Sequence, residues 1–273
     1  MTRWLALTCA LAALPVAAQT DPAASALQSH NVDQAQGGID PPLTENEPVY
    51  FVMGTRGDTS ARFQLSFKYR LFDRSLGWGR QQPWLAGFYL GYTQTTLWNL
   101  TGDSRPFRDT SYRPSLFWAW QRSGDRTWVD ALRAGFEHES NGRDGMGSRS
   151  VDTLFLSPEW HWDRDNGKRL QFMPKFYGYL DKESNPDIQR YRGYVDWRVR
   201  YGDRQHSWSA MARAGTAGKG SLTLDWFERT RVLGFGLVSG YFHAQFFAGY
   251  GEDILDYNVR RKSQLRLGLA IVP

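Results

Sequence analysis

The feature that most constrains this chain is a strict alternation of apolar and polar residues that begins after Arg62. Every odd position from 63 to 71 is apolar or aromatic, and the positions between them are polar: Gln64, Ser66, Lys68 and Arg70. Successive side chains of a β-strand point to opposite faces, so this segment predicts a strand with one apolar and one charged face. Strands of transmembrane β-barrels have this pattern, with the apolar face toward lipid and the polar face toward the lumen.

The composition supports a barrel over a helical membrane protein. The chain has 12 Trp, 13 Tyr and 16 Phe, yet its mean hydropathy is −0.55. Beyond the N-terminus no stretch approaches the ~20 apolar residues that a membrane helix needs. The aromatic residues are expected mainly in the interfacial girdles of a barrel. The formal net charge of +5 suits anionic lipid headgroups, and we expect no nucleic-acid partner for an exported chain.

The N-terminal segment predicts export. Residues 1–18 have one basic residue, Arg3, followed by an apolar run and small residues, which is the pattern of a secretory signal peptide. The single cysteine, Cys9, lies in this segment, so the mature chain is expected to have no disulfide. We predict a polar lead-in over residues 19–60, with a short apolar run near the barrel mouth, and a barrel domain over 61–273.

Alternating segments recur along the rest of the chain and predict about twelve strands, an even number as in bacterial barrels. The predicted strands lie at about 62–71, 84–92, 112–121, 132–140, 151–162, 170–177, 194–201, 207–215, 221–227, 232–239, 241–250 and 265–271. The inward-facing arginines are expected to form charge networks in the lumen: Arg133, Arg198, Arg200 and Arg213.

Two neighbouring predicted strands carry polar residues on their apolar face. His138 and Ser140 share a face with the apolar residues of the strand 132–140, and Asp152 shares one with Leu154. Histidine, serine and aspartate are the side chains of nucleophilic acyl transfer. Because polar groups facing lipid are costly, their presence there predicts a site that acts on an apolar substrate.

The segment His138–Arg143, followed by Ser148–Ser150, resembles the nucleophile segment of the outer membrane phospholipase A family. These enzymes are calcium-dependent phospholipases A1 of Gram-negative bacteria. Three more stretches match in order, Pro106–Pro114, Asn185–Ile188 and Gly249–Asn258. The resemblance runs from about residue 62 to the C-terminus. It implies a twelve-stranded outer membrane barrel whose site lies on the outer wall near the outer leaflet.

The resemblance also implies roles for individual residues. Ser140 corresponds to the nucleophile and His138 to the general base. Asp152 stands where the family usually has an asparagine, and an aspartate can both orient the imidazole and stabilise its charged form. The amide of Gly142 is expected to donate a hydrogen bond to the oxyanion.

The family further implies a calcium ion and a homodimer. Calcium prefers oxygen ligands, including backbone carbonyls. By position these ligands are the carbonyl of Arg143, the carbonyl and hydroxyl of Ser148, and Ser104 from the second subunit. Ser184 stands where the family has a further aspartate ligand.

We therefore expect a calcium-dependent phospholipase A1, with phospholipase A2 and lysophospholipase activity, that hydrolyses acyl esters of glycerophospholipids in the outer membrane. Two alternatives stay open. One is an acyl hydrolase acting on the lipid A part of lipopolysaccharide, and the other is a porin-like barrel that has lost catalysis. Because a fold does not determine a function, the site must distinguish them.

Overall fold

The computed structural model describes residues 41–54, 59–101, 103–104, 106–124, 128–232, 234 and 240–272. The predicted signal peptide with Cys9, and residues 19–40 of the predicted lead-in, lie outside the described residues. Within the described part, no helix is long and apolar enough to cross a membrane. The described chain is dominated by one antiparallel sheet.

The sheet contains fourteen strand segments, and short helical turns lie in its connections. The strands are β1 Leu43–Glu45, β2 Val49–Gly54, β3 Ser60–Arg70, β4 Phe88–Asn99, β5 Phe107–Gln121, β6 Ala131–Ser140, β7 Ser150–Asp163, β8 Arg169–Phe172, β9 Lys175–Asp181, β10 Val195–Gly202, β11 His206–Ala214, β12 Gly220–Arg229, β13 Tyr241–Tyr250 and β14 Arg260–Val272. The helices are α1 Gly77–Gln81 and α2 Gln189–Arg192, with 3-10 turns at Pro83–Gly87 and Gly145–Gly147.

The sheet closes into a twelve-stranded barrel, as the sequence predicts. β2 pairs with β3 on one side and with β14 on the other, which closes the barrel. β1 and β2 follow one another along the same edge of β3, so they form one strand interrupted at residues 46–48. β8 and β9 form a second interrupted strand between β7 and β10. Each interrupted pair therefore counts once among the twelve.

The two faces of the wall differ in polarity, which confirms the predicted alternation. Side chains that point inward from β3, such as Gln64 and Ser66, are buried. The outward residues are apolar and exposed, and they include Leu65, Phe67, Tyr69, Leu90, Leu116, Leu154, Leu156, Leu265, Leu267 and Leu269. An apolar outer wall around a polar interior is the pattern of a barrel surrounded by lipid.

The structure corrects three details of the predicted strands. The predicted strand at 232–239 lies largely outside the described residues, and β12 pairs directly with β13, so no strand separates them. The remaining strand is formed by residues 43–54, which were expected in the lead-in, so the barrel begins before residue 61. Residues 83–87 form a 3-10 turn, with Pro83 at its start, where the alternation predicted strand.

The lumen contains the expected charge networks. Glu47, at the interruption between β1 and β2, lies 2.7 Å from Arg113 and 3.8 Å from Arg198. Arg213 lies 2.7 Å from Asp196. The other two predicted lumen arginines also have polar partners: Arg133 donates to Asn46 and Arg200 donates to Ser207. Salt bridges and hydrogen bonds between strands thus occupy the barrel interior.

At the end of the barrel near Ser140, two loops fold inward. Loops 182–194 and 251–259 contribute the buried side chains of Ile188 and Ile254, which pack with Val151, Tyr191 and Tyr257. The Tyr257 hydroxyl donates to Asp187 Oδ1 at 2.5 Å, joining the two loops. This cluster supports the inner face of β7 directly behind the outer wall on which Asp152 lies.

Candidate active site

The structure brings His138 and Asp152 together on the outer wall. The two residues lie directly opposite each other on the antiparallel pair β6 and β7. His138 Nδ1 and Asp152 Oδ1 are 2.6 Å apart, and the two side chains are 36% and 30% exposed. The pairing register of two adjacent strands therefore places an imidazole against a carboxylate on an apolar surface.

Ser140 is the last residue of β6 and lies on the same face as His138. Its cross-strand neighbours are Tyr112 on β5 and Ser150 on β7. Residues two apart on a strand are separated by about 7 Å along it, a spacing from which a serine and a histidine side chain can meet. Because Asp152 engages Nδ1, the imidazole has Nε2 left for the serine, which is the arrangement of a Ser–His–acid triad.

The opposite face of β6 is anchored inside the barrel. Glu137 lies 2.8 Å from Lys175. Glu139 lies 2.8 Å from Arg192 on α2 and accepts a hydrogen bond from Ser111 at 2.7 Å. These inward carboxylates come immediately before and after His138 in sequence. Their contacts inside the barrel anchor β6, whose outer face carries His138 and Ser140.

The loop between β6 and β7 is organised by Asn141, which is buried. Its Oδ1 accepts hydrogen bonds from the amides of Arg149 at 3.0 Å and Arg143 at 3.4 Å. Its Nδ2 donates to the Gly147 carbonyl at 2.9 Å and to Asp109 Oδ1 at 3.3 Å. Sequence reasoning did not single out Asn141 or Asp109, although both lie inside the matched stretches.

Gly142 follows Asn141 and has a backbone conformation that favours glycine. Its φ is +64°. A Cβ at this position would lie 3.2 Å from the ring of Tyr112, closer than ordinary packing allows. Both the left-handed conformation and the close approach to Tyr112 therefore favour a residue without a side chain. The role of the Gly142 amide toward an oxyanion stays a prediction.

The residues predicted to hold calcium lie partly around one open pocket. Gly142, Arg143, Asp144 and Gly147 line it, and Ser148 follows directly in the chain. The Ser148 carbonyl accepts a hydrogen bond from Arg149 Nη1 at 2.7 Å. The available donors are oxygens, as calcium requires. Among the described residues, no group of three or more His, Cys, Asp or Glu could hold a metal, so the set would be mostly uncharged.

The two other predicted ligands lie elsewhere. The Ser184 hydroxyl accepts from the Ser150 amide at 2.8 Å and donates to the Ser150 carbonyl at 3.2 Å, so it is already engaged at the start of β7. Ser104 is exposed on the turn between β4 and β5. Of the histidines without a predicted role, His161 pairs with Glu159 and His243 with Asp225, both on the lumen side.

The loop after β13 supports the site from the barrel mouth. The Leu255 amide donates to Asp109 Oδ2 at 2.9 Å, and the Asp256 amide donates to Asp253 Oδ1 at 2.6 Å. Burial raises the pKa of Asp253 to about 6. Arg108 lies 2.6 Å from Asp256. Stretches that are distant in sequence thus meet directly behind the loop 141–149.

The sequence of this chain matches known phospholipases over most of its length. A family model described as Phospholipase A1 matches residues 15–272. A putative phospholipase A1 of Neisseria meningitidis serogroup B is 29% identical over 234 residues, which are 83% of this chain and 58% of the relative. Phospholipase A1 of Proteus vulgaris is 31% identical over 223 residues, 77% of this chain and 68% of the relative. The chain therefore spans a little more than half the length of the Neisseria relative.

Solved structures match the barrel itself. Outer membrane phospholipase A from Escherichia coli has a TM-score of 0.68 at 23% identity, covering 91% of this chain and 96% of that chain. The outer membrane phospholipase dimer of Salmonella typhi with bound calcium has a TM-score of 0.67 at 23% identity, covering 84% and 92%. At this identity the likeness establishes the closed twelve-stranded fold. The family match over residues 15–272 shows that this chain belongs to the phospholipase A1 family.

Proposed function

We propose that this protein is a calcium-dependent outer membrane phospholipase A1 that hydrolyses acyl esters of glycerophospholipids, and that it also has phospholipase A2 and lysophospholipase activity. The observation that carries the proposal is the 2.6 Å contact between His138 and Asp152 beside Ser140 on the apolar outer wall. An acyl-transfer site facing lipid meets its substrate within the bilayer.

In the first half of the reaction, Ser140 Oγ attacks the ester carbonyl carbon while His138 Nε2 takes its proton. Asp152 holds the Nδ1–H tautomer and stabilises the imidazolium that forms. His138 then gives the proton to the departing glycerol oxygen, and the C–O bond of the ester breaks. In the second half, His138 Nε2 removes a proton from water, whose oxygen attacks the acyl carbon. The bond between that carbon and Ser140 Oγ then breaks, His138 returns the proton to Oγ, and the fatty acid is released.

The oxyanion of each tetrahedral intermediate needs a donor in a fixed position. We assign this role to the amide of Gly142, which has a φ of +64° and follows Asn141, whose side chain is hydrogen-bonded to the loop backbone. The carbonyl of Arg143 and the carbonyl and hydroxyl of Ser148 offer oxygen ligands beside it. When bound there, calcium would supply positive charge next to the developing oxyanion. Ser184 would have to release Ser150 to join this ligand set.

We propose a homodimer as the active form. Only part of a calcium coordination shell comes from Arg143 and Ser148, because this ion takes six to eight oxygen ligands. Ser104, exposed on the neighbouring turn, would add a hydroxyl from the second subunit. The related outer membrane phospholipase of Salmonella typhi is described as a dimer with bound calcium, which supports this arrangement.

The barrel interior argues against a passive pore. The interior contains ion pairs such as Arg266 with Glu252, both 1% exposed, and Arg213 with Asp196. A solute would have to displace paired charges, each of which is costly to leave without its partner. We therefore expect little conductance through this barrel.

The decisive experiment measures fatty acid release from phosphatidylethanolamine in mixed micelles by the purified barrel, with calcium and with a chelator. Ser140→Ala is compared with Ser75→Ala, which changes an exposed serine at the opposite end of the barrel. Calcium-dependent release that disappears only in Ser140→Ala supports the proposal. A folded, calcium-loaded barrel that releases fatty acid from lipid A and from no phospholipid would contradict it, as would conductance without hydrolysis.

A further inference from the structure

We infer that Asn141 and Asp109 form a positioning pair that holds the catalytic loop in its working conformation. The inference rests on the proposed function, because it concerns the loop that carries Gly142 and Arg143. Neither side chain lies on the outer wall where the substrate would bind. Their effect on the reaction is therefore exerted through the backbone of residues 142–148.

The Asn141 amide is fully engaged in hydrogen bonds. A primary amide offers two donor hydrogens and two acceptor positions, and here all four are used, on Arg143, Arg149, Gly147 and Asp109. The backbone amide of Asn141 also donates to the Arg149 carbonyl at 3.0 Å. One buried side chain thus ties the beginning of the loop to its end.

Asp109 connects this loop to two other parts of the barrel. It lies on β5 and is 2% exposed. Its Oδ1 accepts from Asn141 and lies 3.7 Å from Arg143 Nε, while its Oδ2 accepts from the Leu255 amide at 2.9 Å. The carboxylate therefore links the catalytic loop, the beginning of β5 and the loop 251–259 at the mouth of the barrel.

The groups proposed to stabilise the oxyanion depend on this link, and the base does not. The Gly142 amide and the carbonyls of Arg143 and Ser148 belong to the loop whose ends Asn141 joins. His138 and Asp152 are instead held by continuous pairing of β6 with β7. Disturbing Asn141 should therefore lower kcat by about the 10²-fold that the loss of one oxyanion donor causes, with little change in KM.

An exchange of amide and carboxylate tests the pair. Asn141→Asp places a second carboxylate where an amide now donates to Asp109 at 3.3 Å, so we expect kcat to fall at least 100-fold. Asp109→Asn in the same chain restores a donor and an acceptor with their positions reversed, so we expect the double variant to recover at least tenfold. Asn166→Asp, in the exposed turn between β7 and β8, is the matched control and should leave kcat unchanged.

A second readout is independent of hydrolysis. Arg143 and Arg149 lie in the loop, so limited trypsin digestion reports how firmly it is held. We expect faster cleavage there in Asn141→Asp and slower cleavage again in the double variant. Gel electrophoresis with and without heating, which distinguishes the folded from the unfolded barrel, should give the same result for all variants.

Unchanged cleavage and unchanged kcat in Asn141→Asp would overturn the inference, as would a double variant no better than the single one. If trypsin cleaves Asn141→Asp faster than wild type but the wild-type barrel itself hydrolyses no phospholipid, the proposed function is refuted and the loop-holding role is still supported.

Discussion

The contact between His138 and Asp152 leads to a quantitative prediction for Asp152→Asn. The family usually has an asparagine at this position, and an asparagine oxygen can accept the same Nδ1–H hydrogen bond at about the same 2.6 Å distance. The substitution therefore keeps the orientation of the imidazole and removes only the negative charge. We expect Asp152→Asn to retain substantial activity, whereas Asp152→Ala loses both the orientation and the charge.

The size of the effect follows from the geometry and the exposure. A hydrogen bond to a charged group contributes about 1.5–3 kcal/mol, against about 0.5–1.5 kcal/mol for a neutral pair. Because both side chains are about one-third exposed, solvent screens part of this difference, and we take about 1 kcal/mol. That value corresponds to a decrease in kcat of about fivefold. Removal of the acid in a serine hydrolase triad costs about 10⁴-fold, which is the expectation for Asp152→Ala.

The assay is the initial rate of fatty acid release at saturating calcium and substrate, for wild type, Asp152→Asn and Asp152→Ala. Labelling of Ser140 by a fluorophosphonate, followed over time, reports the same order of reactivity without a lipid substrate. A kcat for Asp152→Asn as low as that of Asp152→Ala would refute the reasoning. It would mean that the carboxylate charge, and not the orientation of His138, is what the aspartate supplies.

Three further predictions concern stability and calcium. Arg192→Met should lower the free energy of unfolding in urea by roughly 3–5 kcal/mol, because it removes the cation paired with the buried Glu139 carboxylate and leaves Ser111 as its hydrogen-bond donor. Arg190→Met on the same helix is the exposed control, and an equal loss there would contradict the argument. The urea concentration at the midpoint of unfolding should fall as pH rises from 4 to 7. Burial raises the pKa of Asp253 to about 6, so ionising this carboxyl costs more in the folded chain than in the unfolded chain. The loss is at most about 3 kcal/mol, and Asp253→Asn should flatten the dependence. Ser148→Ala keeps the backbone carbonyl and removes the hydroxyl, so it should raise the calcium concentration for half-maximal hydrolysis about tenfold, with the barrel still folded; an unchanged calcium requirement would remove the Ser148 hydroxyl from the ligand set.

The outer wall could be predicted from sequence because one constraint, contact with lipid, determines which residues face outward. A residue that faces lipid is apolar and its neighbours are not, so the alternation in 63–71 or 265–271 is visible in any single strand. The same rule made His138, Ser140 and Asp152 conspicuous, because polar side chains on an apolar face break it. Their pairing in register then followed from two strands joined by one loop.

The interior could not be predicted in the same way. Loops 182–194 and 251–259 have the polar composition of solvent-exposed connections, yet Asn185 and Ile254 are fully buried. In a polar lumen, a polar side chain can be buried only if it finds a hydrogen-bond partner, which is often far away in the sequence, as the Leu255 amide is for Asp109. The hydropathy of the sequence does not reveal such pairs. The first strand was missed for a related reason, since one of the two strands that pair with residues 49–54 is β14, at the other end of the chain.

That seam between β2 and β14 has a consequence for how the barrel is made. Leu267 pairs with Met53, so the first strand finds its second neighbour only after almost the whole chain is available. Contacts of such large sequence separation slow folding, because the entropy of closing the loop is lost before the contact forms. The backbones of β2 and β14 come very close at Gly268, where a Cβ would lie 2.0 Å from the Phe51 carbonyl oxygen. Assembly must therefore keep two unpaired edges protected until the last strand arrives, and the seam is where an unfinished barrel is most exposed to wrong partners.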